Sequence, residues 1–177
     1  MSEEKALLHK LVRGDADAMD SIYSRYKDDL LTAAMSYVCD IYLAEDCLQD
    51  VFLSLAEDAA RFQIRDNLKG YLISCILNRA KNKIRKNAKV SGSNGDYDAT
   101  SPSVSSADRL VEDDRKQKLF EAMAKLPDEQ HEVIAMHLYA DMKFGEIAKL
   151  LNLSINTVQS RYRYGLEKLK TLLSIRE

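Results

Sequence analysis

Residues 144–173, FGEIAKLLNLSINTVQSRYRYGLEKLKTLL, constrain the fold more than any other stretch of the chain. They read as two short amphipathic helices joined by a tight turn. The first puts Ile147, Leu150 and Leu151 on one face. Asn152 follows, a residue type that tolerates the left-handed backbone a sharp interhelical turn needs. Ser154 stands where a helix N-cap belongs, its hydroxyl placed to accept from the backbone N–H of Asn156 or Thr157. The second helix spaces Val158, Tyr162, Leu166, Leu169 and Leu173 by threes and fours, the signature of a buried stripe. Asn156, Thr157, Gln159, Ser160, Arg163 and Tyr164 remain on or near the other face, close to the helix start. There a recognition helix meets base edges and phosphates. A helix pair of this kind also occurs in any helical bundle. The hydrogen-bonding residues and arginine on the polar face, in place of the usual Glu/Lys mixture, favour DNA.

The rest of the chain is predicted to be helical too. Of 177 residues only 6 are glycine and 2 proline, and no alternating strand pattern stands out. Four helices are expected over residues 1–87. The first covers about 2–13, and the second runs from an Asp15 cap to about Val38 with Ile22, Tyr23, Tyr26, Leu30, Ala33 and Ala34 inward. The third covers about 41–60 behind an Asp40 cap, with the stripe Ala44, Cys47, Leu48, Val51, Phe52 and Leu55. The fourth covers about 68–86, with Tyr71, Leu72, Cys75, Ile76 and Ala80 inward. Residues 88–106 hold six serines, two glycines and a proline, too little to bury, and read as a flexible linker. Residues 107–177 form a second small helical domain. Pro127 is expected at the first position of its second helix, with Val133, Ile134, His137 and Leu138 inward. Gly165, inside the last helix, has no account at this level.

Charge is strongly segregated. The chain is net −2, but residues 71–90 are net +6 with no acid and residues 143–177 net +4, while residues 1–70 and 91–142 are each net −6. Phosphate attraction acts over about a Debye length, ~8–10 Å, so the blocks matter more than the total. In the first basic block, Asn78, Arg79, Lys81, Asn82, Lys83, Arg85 and Lys86 crowd one half of a helix. A solvated cationic face is the ordinary explanation; so strong a cluster in so acidic a chain favours nucleic acid. On the third helix, Glu45, Asp46, Gln49 and Asp50 oppose the apolar stripe, with Leu53 at their margin. That face is either plainly solvated or an acidic docking surface.

Enzymatic chemistry finds no support. His131 and His137 in HEVIAMH are six apart, so they diverge around a helix and cannot share a metal as residues four apart do. The three cysteines, Cys39, Cys47 and Cys75, lack CxxC spacing and suit a reducing compartment. No catalytic residue, metal or cofactor is expected. No apolar run is long enough to cross a membrane, and the charged N-terminus is unlike a signal peptide.

Taken in order, AEDCLQDVFLSL, YLISCILNRAKNKIRK and LPDEQHEVIAMHLYADMKFGEIAKLLNLSINTVQSRYRYGLEKL resemble a bacterial RNA polymerase sigma factor of the sigma-70 family. The resemblance is to the small extracytoplasmic-function group and covers nearly the whole chain. It implies an all-α protein of two domains, residues 1–87 like region 2 and residues 107–177 like region 4. It also implies cytoplasmic action on core RNA polymerase and promoter DNA, no membrane insertion, and an anti-sigma partner. By resemblance, Glu45, Asp46, Gln49, Asp50 and Leu53 dock on core polymerase. Phe62, Arg65, Asp66, Asn67, Leu68, Asn78, Arg79, Lys81, Asn82 and Arg85 hold the single-stranded −10 element. Asn156, Thr157, Gln159, Ser160, Arg161, Arg163 and Tyr164 read the −35 duplex. Gln159 and Tyr164 stand where relatives commonly carry basic residues, Tyr71 replaces a usual Trp, and the loop 61–67 lacks a frequent glycine. The alternative reading is a stand-alone helix-turn-helix regulator that does not bind core polymerase. It would want an apolar dimerisation face where the third helix is acidic.

Overall fold

The computed structural model describes residues 3–58, 67–90 and 107–174. Among them are eight helices: α1 (Glu3–Val12), α2 (Ala16–Val38), α3 (Ile41–Asp58), α4 (Leu68–Val90), α5 (Ala107–Ala124), α6 (Asp128–Tyr139), α7 (Phe144–Leu151) and α8 (Ile155–Ser174). Side-chain caps set several starts. The Asp15 carboxylate accepts from Asp17 N–H at 3.0 Å, Asp40 from Leu43 N–H at 3.0 Å, and Asn67 from Gly70 N–H at 2.7 Å. Each satisfies a donor the first helical turn leaves without a backbone partner. Helix α2 ends at Cys39 in the left-handed region, its N–H bonded to the Met35 carbonyl. Pro127 is the cap residue of α6 rather than its first helical residue, and α4 continues past residue 86 to Val90.

The first four helices pack as the apolar spacing predicts. The α3 stripe from Ala44 to Leu55 is buried throughout and faces α2 and α4. Tyr23 is a correction: it is exposed, its ring edge resting on Phe52 at 4.9 Å. Leu138 is another, 49% exposed. Instead His131, Val133, Ile134, Ala135 and Met136 are all buried, because α6 has neighbours on more than one side. It packs on α7 and α8, and also on α2 and α4.

The two halves of the chain therefore share one core. Val133, Ala135, Met136, Met142 and Ile147 belong to the same buried cluster as Ile22, Leu30, Leu55 and Leu72. Polar groups tie the junction. The His131 ring lies 1% exposed with Nε2 3.0 Å from the Ser36 carbonyl and 3.2 Å from Ser36 Oγ. Ser36 Oγ donates to the Ala33 carbonyl, so Nε2 carries the proton and Nδ1 is left buried without a partner. At Gly70 an added Cβ would sit 2.5 Å from Met142 Sδ, so the missing side chain is what admits Met142 against α4. Lys69 bridges to Asp29 at 2.8 Å and to Asp141 at 3.4 Å.

Burial holds the His131 pKa down, to about 4, against the opposing pull of the Ser36 carbonyl and Asp128. The packed state binds fewer protons than any state that exposes the ring. Its stability is complete above the free imidazole value of about 6.5 and falls as pH drops toward 4. Between pH 7 and pH 5 the wild type should lose roughly 2 kcal/mol of unfolding free energy in urea titrations. His131→Gln, which can still donate to Ser36, should show a much flatter pH dependence; equal slopes would remove His131 as the cause.

Candidate nucleic-acid interface

Three polar surfaces bear on function. On α3, Glu45, Asp46 and Gln49 are exposed, and Leu53 is 61% exposed beside them. Asp46 and Asp50, one turn apart, both reach the Lys83 ammonium of α4, Asp50 at 2.9 Å. Burial alone would lower the Lys83 pKa; the two carboxylates outweigh it and raise it. The acidic face is thus partly neutralised from within, and Glu45, Gln49 and Leu53 form its outward part.

On α4, helical spacing divides the cations between two neighbours. Arg79 and Lys83 turn toward α3, with the Arg79 guanidinium donating to Ser54 Oγ at 2.5 Å. Lys81 and Arg85, one turn apart on another face, reach α6: Lys81 Nζ is 2.7 Å and Arg85 Nη2 3.1 Å from Asp128 Oδ2. The half-buried Tyr37 hydroxyl donates to the other Asp128 oxygen. Burial would raise the Asp128 pKa, but the bonds from Lys81 and Tyr37 and the charges of Lys81 and Arg85 lower it. Asn78, Asn82 and Lys86 are exposed. Leu68, expected at the DNA surface, is a correction: it is 1% exposed and belongs to the core. Asn67 spends its side-chain oxygen on the helix cap. Phe62, Arg65 and Asp66 lie outside the described residues.

On α8, the turn has the anticipated form. Asn152 adopts φ 54, ψ 48, its N–H returning to the carbonyls of Ala148 and Lys149. Ser154 Oγ accepts from Thr157 N–H at 3.0 Å and meets the Thr157 hydroxyl at 2.8 Å, so Thr157 belongs to the cap. Asn156, Gln159, Arg163 and Tyr164 are exposed and Ser160 is half-buried. The Arg163 guanidinium carbon lies 5.0 Å from the Tyr164 ring centroid, in cation–π range. Arg161 instead turns inward to Glu129 on α6 at 3.0 Å, a bond that fixes α8 on its neighbour. The buried stripe of α8 is Val158, Gly165 and Leu169, while Leu166 and Leu173 are exposed, as is Leu150 on α7. His137, Phe144 and Tyr162 pack ring against ring within 5.1 Å, and His137 Nδ1 donates to the Met142 carbonyl at 2.8 Å, setting where α7 begins.

An all-helical pair of modules, the first carrying a cationic helix and the second a helix-turn-helix, defines a class of DNA-directed transcription protein. Comparison with known proteins narrows it. Residues 22–90 match sigma-70 region 2 and residues 116–169 match sigma-70 region 4. The chain belongs to the extracytoplasmic-function group of the sigma-70 family. It is 25% identical to the extracytoplasmic-function RNA polymerase sigma factor SigK of Mycolicibacterium vanbaalenii, across 98% of this chain and 91% of that protein. Its fold matches CnrH in complex with the cytosolic domain of CnrY with a TM-score of 0.74 and 20% identity, over 99% and 100% of the two chains. The sigma factor RpoE in complex with the anti-sigma factor NepR from Bartonella quintana matches with a TM-score of 0.68 and 21% identity, over 89% and 98%. No described helix is long and apolar enough to cross a membrane.

Gly165 now has a reason. A Cβ there would stand 2.5 Å from Ile134 Cδ1 and 3.2 Å from Gln130 Cβ, so the glycine lets α8 cross α6 closely. Gly165→Leu should cost about 1–3 kcal/mol through overpacking, read as a lower urea midpoint. An unchanged midpoint would mean that the crossing is not tight.

Proposed function

We propose that this protein binds core RNA polymerase and directs it to promoters, reading the −35 duplex with α8 and capturing unpaired −10 bases beside α4. The observation that carries the reading is the ordered pair of matched regions, each presenting the polar surface its role requires. Glu45, Gln49 and Leu53 offer a partner helix an apolar contact flanked by an amide and an acid. Asn78, Asn82, Lys81 and Arg85 supply hydrogen bonds and charge to a single strand, whose phosphates attract cations in any sequence. Asn156, Gln159, Ser160 and Arg163 sit at the start of α8, where such a helix enters a major groove. The protein would supply binding energy while the polymerase performs the chemistry, and it would work where the polymerase does, in the cytoplasm. The match to RpoE in complex with the anti-sigma factor NepR supports an anti-sigma partner for this chain as well.

Because Asp46 and Asp50 hold Lys83, the docking test belongs on the outward residues. Glu45→Lys with Leu53→Asp should weaken core polymerase binding at least tenfold in titrations, with the helical circular-dichroism signal kept. Undiminished binding would remove α3 as the docking face. Gln pairs best with adenine, so Gln159→Ala should relax base preference at one −35 position in a selection from randomised duplexes. An unchanged motif would exclude that contact.

A further inference from the structure

Two exposed side chains in the first half of α8 hold each other. The Arg163 guanidinium carbon lies 5.0 Å from the Tyr164 ring centroid, and Arg163 Nη2 donates to the Tyr164 hydroxyl oxygen at 3.3 Å. Residues 155–164 contain two arginines, and Arg161 is spent on Glu129. Arg163 is therefore the cation that this stretch turns outward, on the helix face it shares with Gln159 one turn earlier. An arginine stem left alone samples many rotamers, and freezing them opposes binding. A ring against the guanidinium removes part of that loss beforehand and limits how the planar fork can turn. The tyrosine hydroxyl takes one of the fork's five N–H donors, so about four remain, enough for a two-pronged contact with O6 and N7 of a guanine.

We propose that Tyr164 is a positioning residue, which holds the Arg163 guanidinium ready for a guanine in the upstream duplex rather than reading a base itself. The proposal rests on the reading of α8 as the duplex-binding helix and adds the base that Arg163 selects. Four residues of helix rise ~6 Å, while successive base pairs stand ~3.4 Å apart. The guanine accordingly lies about one to two base-pair steps from the base that Gln159 contacts.

The test uses the full chain assembled with core polymerase, selecting from duplexes randomised across the upstream element, with base preference read position by position. Wild type should enrich guanine at one position close to the one that Gln159→Ala relaxes. Tyr164→Ala should lower that guanine preference about two- to fivefold, the loss an exposed cation–ring contact carries, and leave the Gln159 position as it was. Tyr164→Phe keeps the ring and should keep most of the preference. Arg163→Ala should abolish it, and adding Tyr164→Ala to Arg163→Ala should change nothing further at that position. The positioning role is overturned if Tyr164→Ala selects like wild type, if Tyr164→Phe falls as far as Tyr164→Ala, or if the double variant loses more than Arg163→Ala alone. Equal weakening at every position in Tyr164→Ala would make the tyrosine merely structural and overturn it as well. A wild-type selection with no upstream motif removes the duplex-reading role of α8 and this inference with it. A motif without guanine, or one that keeps its guanine in Tyr164→Ala, removes the inference alone.

Discussion

The burial of α6 on two sides is the constraint on which the rest of the structure depends. Four successive residues, Val133 to Met136, are fully buried, and no single face of a helix can hold four in a row. Ile134 and Gln130 meet α8 at Gly165, whereas Asp128 and His131, one turn apart, meet α2 and α4. A helix patterned for a simple surface would leave one of these sides wet. Here α6 acts as the shared wall of both halves, and separating them would expose apolar area as well as a protonatable ring.

Electrostatics follows the same division. The basic block between two acidic blocks becomes, in three dimensions, a cationic helix between two acidic neighbours. Lys83 serves α3, while Lys81 and Arg85 serve α6. These surface pairs contribute little each to stability, since solvent screens them. Their effect is on how the cations of α4 are divided between its two neighbours. The cysteines play no part in this. Burial pushes the Cys39 and Cys47 thiols up to about 11, which keeps them protonated and unreactive.

Local structure was readable from residue types wherever the deciding interaction spans a few residues. Asn152 is left-handed, Ser154 and Asp15 cap, and the α3 stripe is buried, because turn chemistry and helical period are local. Errors fell where a distant partner decides. Leu166 and Leu173 keep the helical spacing yet lie exposed, since α6 meets α8 along the line of Gly165 instead. Leu138 is exposed because α6 turns its polar-looking His131 inward toward Ser36, 95 residues away. Nothing in the neighbourhood of Asp128 or Gly70 announces a partner from the other half. Among the site residues, the exposed positions on α3 and α8 could be picked by pattern. The inward turn of Arg161 and the engagement of Lys81 required knowing which helix lies opposite.

Lys83 has a further effect on the acidic face. Two carboxylates one turn apart repel each other and sample many rotamers when left alone. Held by one ammonium, both turn toward α4, and the neighbouring Glu45, Gln49 and Leu53 are left to solvent. The charge that α3 shows to solvent is therefore smaller than the three carboxylates Glu45, Asp46 and Asp50 would suggest, because one ammonium already offsets two of them.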